Sequence, residues 1–282
     1  MNHEAHIHTE NESYREDRNM RKAVFFDIDG TIWDQKQRIP DSTREAFRLM
    51  KEQGHYLFIS SGRTRIFIPD EPLKPLGFDG ILAGCGTYGE FQGEEKFYYR
   101  IPSENIQHIN EFLRQMEAAY VLEGRHLIYL DMERFPEDSP FPRGLQGTLG
   151  EKLVRVTGNE SSLEVSKFCV NYLKERERQK ELEQEIGKDY TIIHRGGDFM
   201  EIVPKGYSKA TGIREICKIL GVAHEDTYSF GDSTNDLDML EYTAHSIAMG
   251  DGMQQAKDAA EYVTAALWED GIYQGCKHYG LI

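Results

Sequence analysis

The stretch Ala23-Val-Phe-Phe-Asp27-Ile-Asp29-Gly-Thr31 decides the fold class of this chain. Its four consecutive apolar residues are typical of a strand that is buried on both faces of a parallel sheet. Because alternate residues of an extended chain project to the same side, we expect the carboxylates of Asp27 and Asp29 to face one site. Gly30 permits a sharp turn directly afterwards. The alternative is a simple Asp-Gly turn that carries no chemistry.

Apolar strands alternate with helices on both sides of this motif. Patterned residues predict strands at 56–59, 80–83 and 227–230 and helices at 42–54 and 208–221. Strand, helix and strand in this order indicate right-handed crossovers between parallel strands. The sequence therefore predicts an α/β fold with a doubly wound parallel sheet.

The middle of the chain breaks this alternation and mixes helical and extended patterns. We predict an α+β cap domain over residues 84–203, inserted into a core domain formed by residues 21–83 and 204–282. Within the cap, the prolines and glycines of residues 133–150 predict a surface loop. Residues 1–20 are polar and have no apolar period, so we predict a disordered N-terminal arm.

Composition excludes several classes of function. A formal net charge of −15 repels nucleic acid and anionic membranes, and no basic stripe offsets it. No apolar run approaches the ~20 residues of a membrane span, and the start has no secretory signal. The four cysteines lie far apart, as in a reduced chain without structural zinc. We expect a cytoplasmic protein, whose oligomeric state the sequence leaves open.

A second acidic cluster follows the predicted strand at 227–230. It contains Asp232, Asn235 and Asp236 beside Gly231. Three oxygen-bearing side chains within five residues suit a hard cation such as Mg²⁺. The alternative is a helix N-terminus that an Asp or Asn side chain caps. Two acidic clusters at the ends of buried strands favour the cation, because uncompensated carboxylates repel each other.

Two further segments supply groups that can hold a phosphate. Ser60-Ser61-Gly62-Arg63 ends a predicted strand, and Lys209 lies at the start of a predicted helix. A hydroxyl, an ammonium and a helix N-terminus all favour phosphoryl oxygens. Taken singly, Ser-Gly is usually a turn and lysine is usually solvated. Lys205 is a rival for Lys209, but the helix start favours Lys209.

In this order the motifs resemble those of the haloacid dehalogenase superfamily. Asp27 to Thr31 is similar to the first motif, Ser60 with Gly62 and Arg63 to the second, Lys209 to the third and residues 231–240 to the fourth. The position of the insertion resembles a C2-type cap, and residues 81–86 and 200–209 resemble the Cof-type subfamily. The match covers nearly all of residues 21–282.

The resemblance implies a role for each matching residue. Asp27 would be the nucleophile and Asp29 the general acid and base. Asp27, the main-chain carbonyl of Asp29 and Asp232 would bind Mg²⁺, supported by Asn235 and Asp236. Phosphoryl oxygens would be held by Ser60 and Lys209, and Thr31, Gly62 and Arg63 would contribute to substrate binding.

The predicted function is Mg²⁺-dependent hydrolysis of a small phosphorylated metabolite, either a sugar phosphate or a nucleotide-type cofactor, through an aspartyl phosphate. A phosphotransferase or phosphomutase on the same scaffold is one alternative, and a catalytically silent regulatory binding protein is another. The chain departs from the subfamily at Cys85-Gly86-Thr87, where many relatives have Asn-Gly-Ala. Asn-mediated hinge contacts therefore do not carry over, and we predict that Cys85 is a buried packing residue.

Overall fold

The computed structural model describes residues 21–157, 160, 163–195, 197 and 199–282. The predicted arm at residues 1–20 lies outside this range. The described strands, numbered along the chain, are β1 Ala23–Phe26, β2 Tyr56–Ser60, β3 Gly80–Ala83, β4 Tyr88–Phe91, β5 Glu94–Tyr98, β6 Ala118–Glu123, β7 Ile128–Leu130, β8 Leu153–Arg155, β9 Lys167–Leu173, β10 Tyr190–His194, β11 Met200–Pro204, β12 Thr227–Gly231, β13 His245–Ala248 and β14 Tyr262–Val263.

Eight α-helices of the described residues connect these strands. They are α1 Asp41–Glu52, α2 Ser103–Gln115, α3 Pro140–Leu149, α4 Gln179–Ile186, α5 Lys209–Leu220, α6 Leu237–Tyr242, α7 Gln254–Ala259 and α8 Gly271–His278. None of the described helices is both long enough and apolar enough to cross a membrane.

The larger sheet has the strand order β14-β13-β12-β1-β2-β3-β4-β5. The six strands from β14 to β3 are parallel to their neighbours. Helices cover both faces: Phe26 packs in one core with α1 and α8, and Phe25 packs in another with α5 and α6. This arrangement confirms the predicted doubly wound α/β fold and explains why β1 is apolar at every position.

Strands β4 and β5 form an antiparallel hairpin on the edge of the larger sheet. The predicted cap boundary at residue 84 assigned this hairpin to the insertion, whereas the strand pairing keeps residues 88–98 in the larger sheet. The physical reason is the tight turn at Gln92 and Gly93, both of which have positive φ values, 53° and 77°. The turn folds β5 back onto β4, and the pairing of β4 with β3 keeps both strands in the larger sheet.

The insertion forms a second sheet with the order β10-β11-β9-β6-β7-β8. Helices α2 and α4 pack on one face of it through Ile106, Leu113, Leu182 and Ile186. The predicted surface loop at 133–150 is wrong in part, because residues 140–149 form α3. Pro140 begins this helix, and a proline in the first turn loses no helical hydrogen bond.

Candidate active site

The candidate site lies at the carboxyl ends of β1, β2 and β12, where several of the predicted site residues lie close together. Asp27 directly follows β1, and its backbone N–H donates to the carbonyl of Phe230 in β12 at 3.0 Å. Because β1 lies between β12 and β2, the loops after all three strands meet at one edge. The larger sheet thus brings Asp27, Asp232 and the Ser60–Arg63 segment together.

Three buried or half-buried carboxylates form an acidic cluster at this edge. One oxygen atom from each of Asp27, Asp232 and Asp236 lies within 4.8 Å of the others. Burial, aided by the charge of Asp236 and opposed by Lys209, raises the pKa of Asp27 to about 7. Burial and the charges of Asp27 and Asp236 raise the pKa of Asp232 to about 8. A hard divalent cation fits this cluster, since it would compensate the mutual repulsion of three oxygen ligands.

Lys209 is the cation that the cluster already contains. It is the first residue of α5, behind the N-cap Ser208, and its Nζ lies 2.5 Å from oxygens of both Asp27 and Asp236. Burial opposes its charged form, but the two carboxylates prevail and raise the pKa of Lys209. Its rival Lys205 is exposed and donates to the main-chain carbonyl of Lys188 at 2.8 Å.

Asp29 follows Asp27 by two residues but has different surroundings. Its carboxylate accepts hydrogen bonds from Nε and Nη2 of Arg63, each at 2.7 Å, and from Trp33 Nε1 at 2.8 Å. The side chain is 47% exposed, whereas Asp27 is buried. The two carboxylates therefore lie at the same edge of the sheet, but that of Asp27 is buried and that of Asp29 is half-exposed.

The turn after Asp29 packs against Asp232 of the acidic cluster. Gly30 has a φ of +95°, and a Cβ there would lie 2.5 Å from Oδ2 of Asp232. Thr31 is fully buried and donates from Oγ1 to Oδ1 of Asp232 at 3.0 Å. Thr31 was predicted to bind substrate, but it is not among the residues that line the cavity. The structure places it behind the cluster, where it orients Asp232.

The loop after β12 uses Asp236 and Asn235 differently. Oδ2 of Asp236 accepts hydrogen bonds from the backbone N–H groups of Asp232 and Ser233, at 2.9 and 3.0 Å. These bonds fix the loop that carries Asp232. Asn235 lines the cavity, and its Oδ1 accepts a hydrogen bond from Ser233 Oγ at 2.7 Å.

The two serines at the end of β2 are not equivalent. Ser60 is fully buried, and its Oγ has no hydrogen-bond partner among the described residues. The next residue, Ser61, lines the cavity together with Gly62 and Arg63. The structure thus brings Ser61, rather than the predicted Ser60, to the side of Asp27. Side chains alternate along a strand, so a shift of one residue turns the hydroxyl to the other face.

A cavity of about 370 Å³ separates Asp27 from the cap. Its volume suits a small metabolite. The insertion also contributes to the lining, through residues that belong to none of the sequence motifs. These residues are Val121, Glu123, Phe141, Leu145, Lys167, Cys169, Asn171, Arg195, Phe199 and Glu201. Alternating residues on β6 and β9 provide several of them, but the sequence gives no signal for which face of these strands meets the core.

Lys167 joins the cap to the core at the bottom of this cavity. Its buried Nζ donates to the carbonyl of Gly62 at 2.9 Å, forms an ion pair with Glu201 and lies 3.8 Å from Glu123. On the core side, Thr64 Oγ1 donates to Glu123 Oε2 at 3.1 Å. Although burial opposes ionisation, the charge of Lys167 lowers the pKa of Glu201.

Cys85 lies beside this group and is buried, as predicted. Its Sγ is 3.6 Å from Oε1 of Glu201. Burial and the negative charge of Glu201 raise the pKa of the Cys85 thiol well above its ordinary value. A protonated, buried thiol is a poor nucleophile, so a packing role fits Cys85.

Comparison with known proteins identifies the family. The family model for haloacid dehalogenase-like hydrolases matches residues 24–275, which include both sheets and all of the motifs above. The chain belongs to this family. It is a phosphatase of the Cof-type group, as the motifs predicted.

Three relatives represent the matches. YkrA of Bacillus subtilis, whose name carries a provisional assignment as a phosphatase, is 30% identical over 93% of this chain and 98% of its own length. YitU of the same species, a 5-amino-6-(5-phospho-D-ribitylamino)uracil phosphatase, is 24% identical over 91% of this chain and 96% of its own length. A solved subclass IIB sugar phosphatase is 31% identical, with a TM-score of 0.78 over 93% of this chain and all of its own.

Proposed function

We propose that this chain hydrolyses a small phosphorylated metabolite, either a sugar phosphate or a nucleotide-type cofactor, in a Mg²⁺-dependent reaction through an aspartyl phosphate on Asp27. The observation that carries the proposal is the position of Asp27. Its carboxylate is buried against Lys209 and also lines the cavity that the cap closes. A nucleophile of this kind needs a neighbouring positive charge and access to substrate, and Asp27 has both.

The proposed reaction has two chemical steps. A carboxylate oxygen of Asp27 attacks phosphorus, the bond from phosphorus to the ester oxygen breaks, and Asp29 gives its proton to the departing oxygen. Asp29 then takes a proton from water, the resulting hydroxide attacks the phosphorus of the aspartyl phosphate, and the bond from phosphorus to the Asp27 oxygen breaks, which releases inorganic phosphate and restores the Asp27 carboxylate. Asp29 lines the same cavity, and Arg63 and Trp33 hold its carboxylate, which supports its assignment to both transfers.

The metal would be held by Asp27 and Asp232 with the main-chain carbonyl of Asp29, while Asn235 and Asp236 support the loop. When bound, it supplies positive charge that offsets the carboxylates and the phosphoryl oxygens. Lys209 contributes a second positive charge, with its Nζ 2.5 Å from Oδ1 of Asp27. For the hydroxyl that contacts the phosphoryl group, the cavity lining supports Ser61 in place of Ser60.

An Asp27→Asn variant tests the nucleophile. We expect phosphate release to fall to background while the fold persists, because the amide has the same volume but does not attack phosphorus. Asp34→Asn is a matched control, since Asp34 pairs with Arg38 outside the cavity and its loss leaves turnover intact. Undiminished phosphate release by Asp27→Asn would remove this residue from the mechanism.

Product analysis separates hydrolysis from phosphoryl transfer. A phosphatase releases one inorganic phosphate for every ester consumed, whereas a phosphotransferase or phosphomutase yields a new ester when an acceptor alcohol is present. We expect equal amounts of phosphate and alcohol, with and without added acceptor, measured by phosphate assay and ³¹P NMR. A new phosphate ester signal would favour the alternative.

A further inference from the structure

The cationic side chains that line the cavity all lie beside carboxylates, and two of them share Glu201. Arg63 is paired with Asp29, and Lys167 with Glu201. The guanidinium of Arg195 lies 4.0 Å from the second oxygen of Glu201, and Glu123 lies 3.8 Å from Lys167. Every cation among the described lining residues therefore has a carboxylate beside it. Away from Asp27, this wall offers no surplus positive charge to a second anionic group of a substrate.

Apolar side chains form the part of the cavity wall that these ion pairs do not cover. Phe141 and Leu145 reach it from α3, one helical turn apart, and Phe67 and Phe199 also line it. Phe141 stacks on Phe135 with ring centroids 5.7 Å apart and is 38% exposed, so part of its ring is free to contact a ligand. Aromatic side chains suit the flat face of a ring.

One polar atom of the cap wall has no partner. Oδ1 of Asn171 is buried and accepts no hydrogen bond from any described residue, although Asn171 lines the cavity on β9. A buried carbonyl oxygen without a donor is costly, and a ligand that supplies one gains affinity. Asn171 as a whole is half-buried and lines the cavity, so a rotation of its amide would bring Oδ1 to a hydroxyl or an amino group on the substrate.

From these three observations the geometry points to a substrate class: a phosphate monoester whose leaving group has a ring with an apolar face, carries no second negative charge, and presents a hydrogen-bond donor to Asn171. The inference rests on the proposed phosphatase function and narrows it. It favours ring-bearing alcohols and nucleoside-like leaving groups over carboxylated or doubly phosphorylated metabolites.

A matched series of esters tests the class. The compounds are 2-phenylethyl phosphate, its 3-hydroxyphenyl and 4-carboxyphenyl derivatives, and glucose 6-phosphate, with p-nitrophenyl phosphate as a probe of the chemistry alone. In the presence of Mg²⁺, we expect kcat/KM to be highest for the hydroxyl derivative. The carboxyl derivative should be at least about tenfold poorer than the parent, because its charge meets no free cation. Glucose 6-phosphate should also be poorer than the parent, because its hydroxylated ring offers less apolar surface to the aromatic side chains of the cavity than a phenyl ring does.

Two variants assign the preference to the cap. Asn171→Leu keeps the side-chain volume and removes the acceptor, so it should erase the advantage of the hydroxyl derivative over the parent ester, up to about tenfold. Phe141→Ala should reduce kcat/KM for the parent ester more than for p-nitrophenyl phosphate, which needs less binding to react. Because each result is a ratio between substrates, a partly unfolded sample does not imitate it.

The outcomes separate the two proposals. If p-nitrophenyl phosphate and the other esters all release no phosphate, the phosphatase function itself fails, and this inference fails with it. If p-nitrophenyl phosphate is hydrolysed but the carboxyl derivative or glucose 6-phosphate equals or exceeds the parent, only the inference is overturned. An unchanged hydroxyl preference in Asn171→Leu likewise overturns the role of Asn171.

Discussion

Replacing Lys167 by Met should destabilise the protein strongly, because it removes the ammonium that pairs with Glu201, lies 3.8 Å from Glu123 and donates to the carbonyl of Gly62. The side chains of Lys167, Glu123 and Glu201 are 3%, 6% and 7% exposed. Breaking a buried ion pair on one side typically costs ~3–5 kcal/mol, since a charge is left uncompensated. The carbonyl of Gly62 also loses a donor, which adds about 1 kcal/mol. Met has a similar length, so packing changes little.

The loss should depend on pH in a defined direction. In the wild type the pKa of Glu201 is lowered, so this residue stabilises the fold above its unfolded pKa of about 4.3, and the contribution is lost as the pH falls through the folded value. Without Lys167, Glu201 keeps the more distant charges of Arg195 and Lys209 but loses its ion pair, so we expect burial to dominate and to raise its folded pKa. The ionised form is then expected to destabilise the fold above pH ~4.3. The difference between wild type and variant should therefore be larger at pH 8 than at pH 5.

Urea unfolding followed by circular dichroism at both pH values measures this difference. Lys174→Met is the control, because Lys174 makes an exposed ion pair with Glu117 and its loss should hardly change the midpoint. The double variant Lys167→Met/Glu201→Gln should recover part of the stability, since it removes one orphaned charge. A loss below about 1 kcal/mol, or one that is larger at pH 5, would refute the reasoning.

Three further predictions concern the acidic cluster and its surroundings. Mg²⁺ should raise the melting temperature of the wild type but not of Asp232→Asn, as differential scanning fluorimetry with and without chelator can check, because binding to the folded state alone stabilises it. Gly30→Ala should lower the free energy of unfolding by about 1–3 kcal/mol in urea titrations, since a Cβ at a φ of +95° meets Asp232; unchanged stability would show that the turn relaxes. Asp29→Asn with an activated aryl phosphate should release a burst near one equivalent of phenol and then slow, because the first step needs no proton but the second needs a base. Undiminished steady turnover would exclude Asp29 as the base.

The core could be predicted from the sequence because its signals are local. The apolar run before Asp27 and the alternation of strands and helices specify a parallel sheet, and strand ends in such a sheet meet by geometry. Asp27, Asp232, Asp236 and Lys209 therefore come together as expected. The hairpin at residues 88–98 was assigned to the cap, because a change from crossover to hairpin resembles a domain boundary until the strand pairing is known.

The substrate side of the site could not be predicted in the same way. Ser60 and Ser61 are adjacent and chemically identical, and only the pleat of β2 decides which hydroxyl reaches the cavity. Thr31 lies within a recognisable motif, but its hydroxyl donates a hydrogen bond to Asp232 instead of lining the cavity. Lys167 and Glu201 are 34 residues apart and meet through the pairing of β9 with β11, a long-range contact that local patterns do not encode.

The segment Ser61-Gly62-Arg63 links these two halves of the site. Ser61 lines the cavity, the carbonyl of Gly62 accepts a hydrogen bond from Lys167 of the cap, and Arg63 holds the carboxylate of Asp29. A Cβ on Gly62 would lie 2.8 Å from Glu201, so the cap wall also requires glycine at this position. The Lys167 bond therefore supports the backbone directly beside Arg63, which holds the carboxylate of Asp29. The cap sheet and the carboxylate of Asp29 are thereby linked through three consecutive residues of the core.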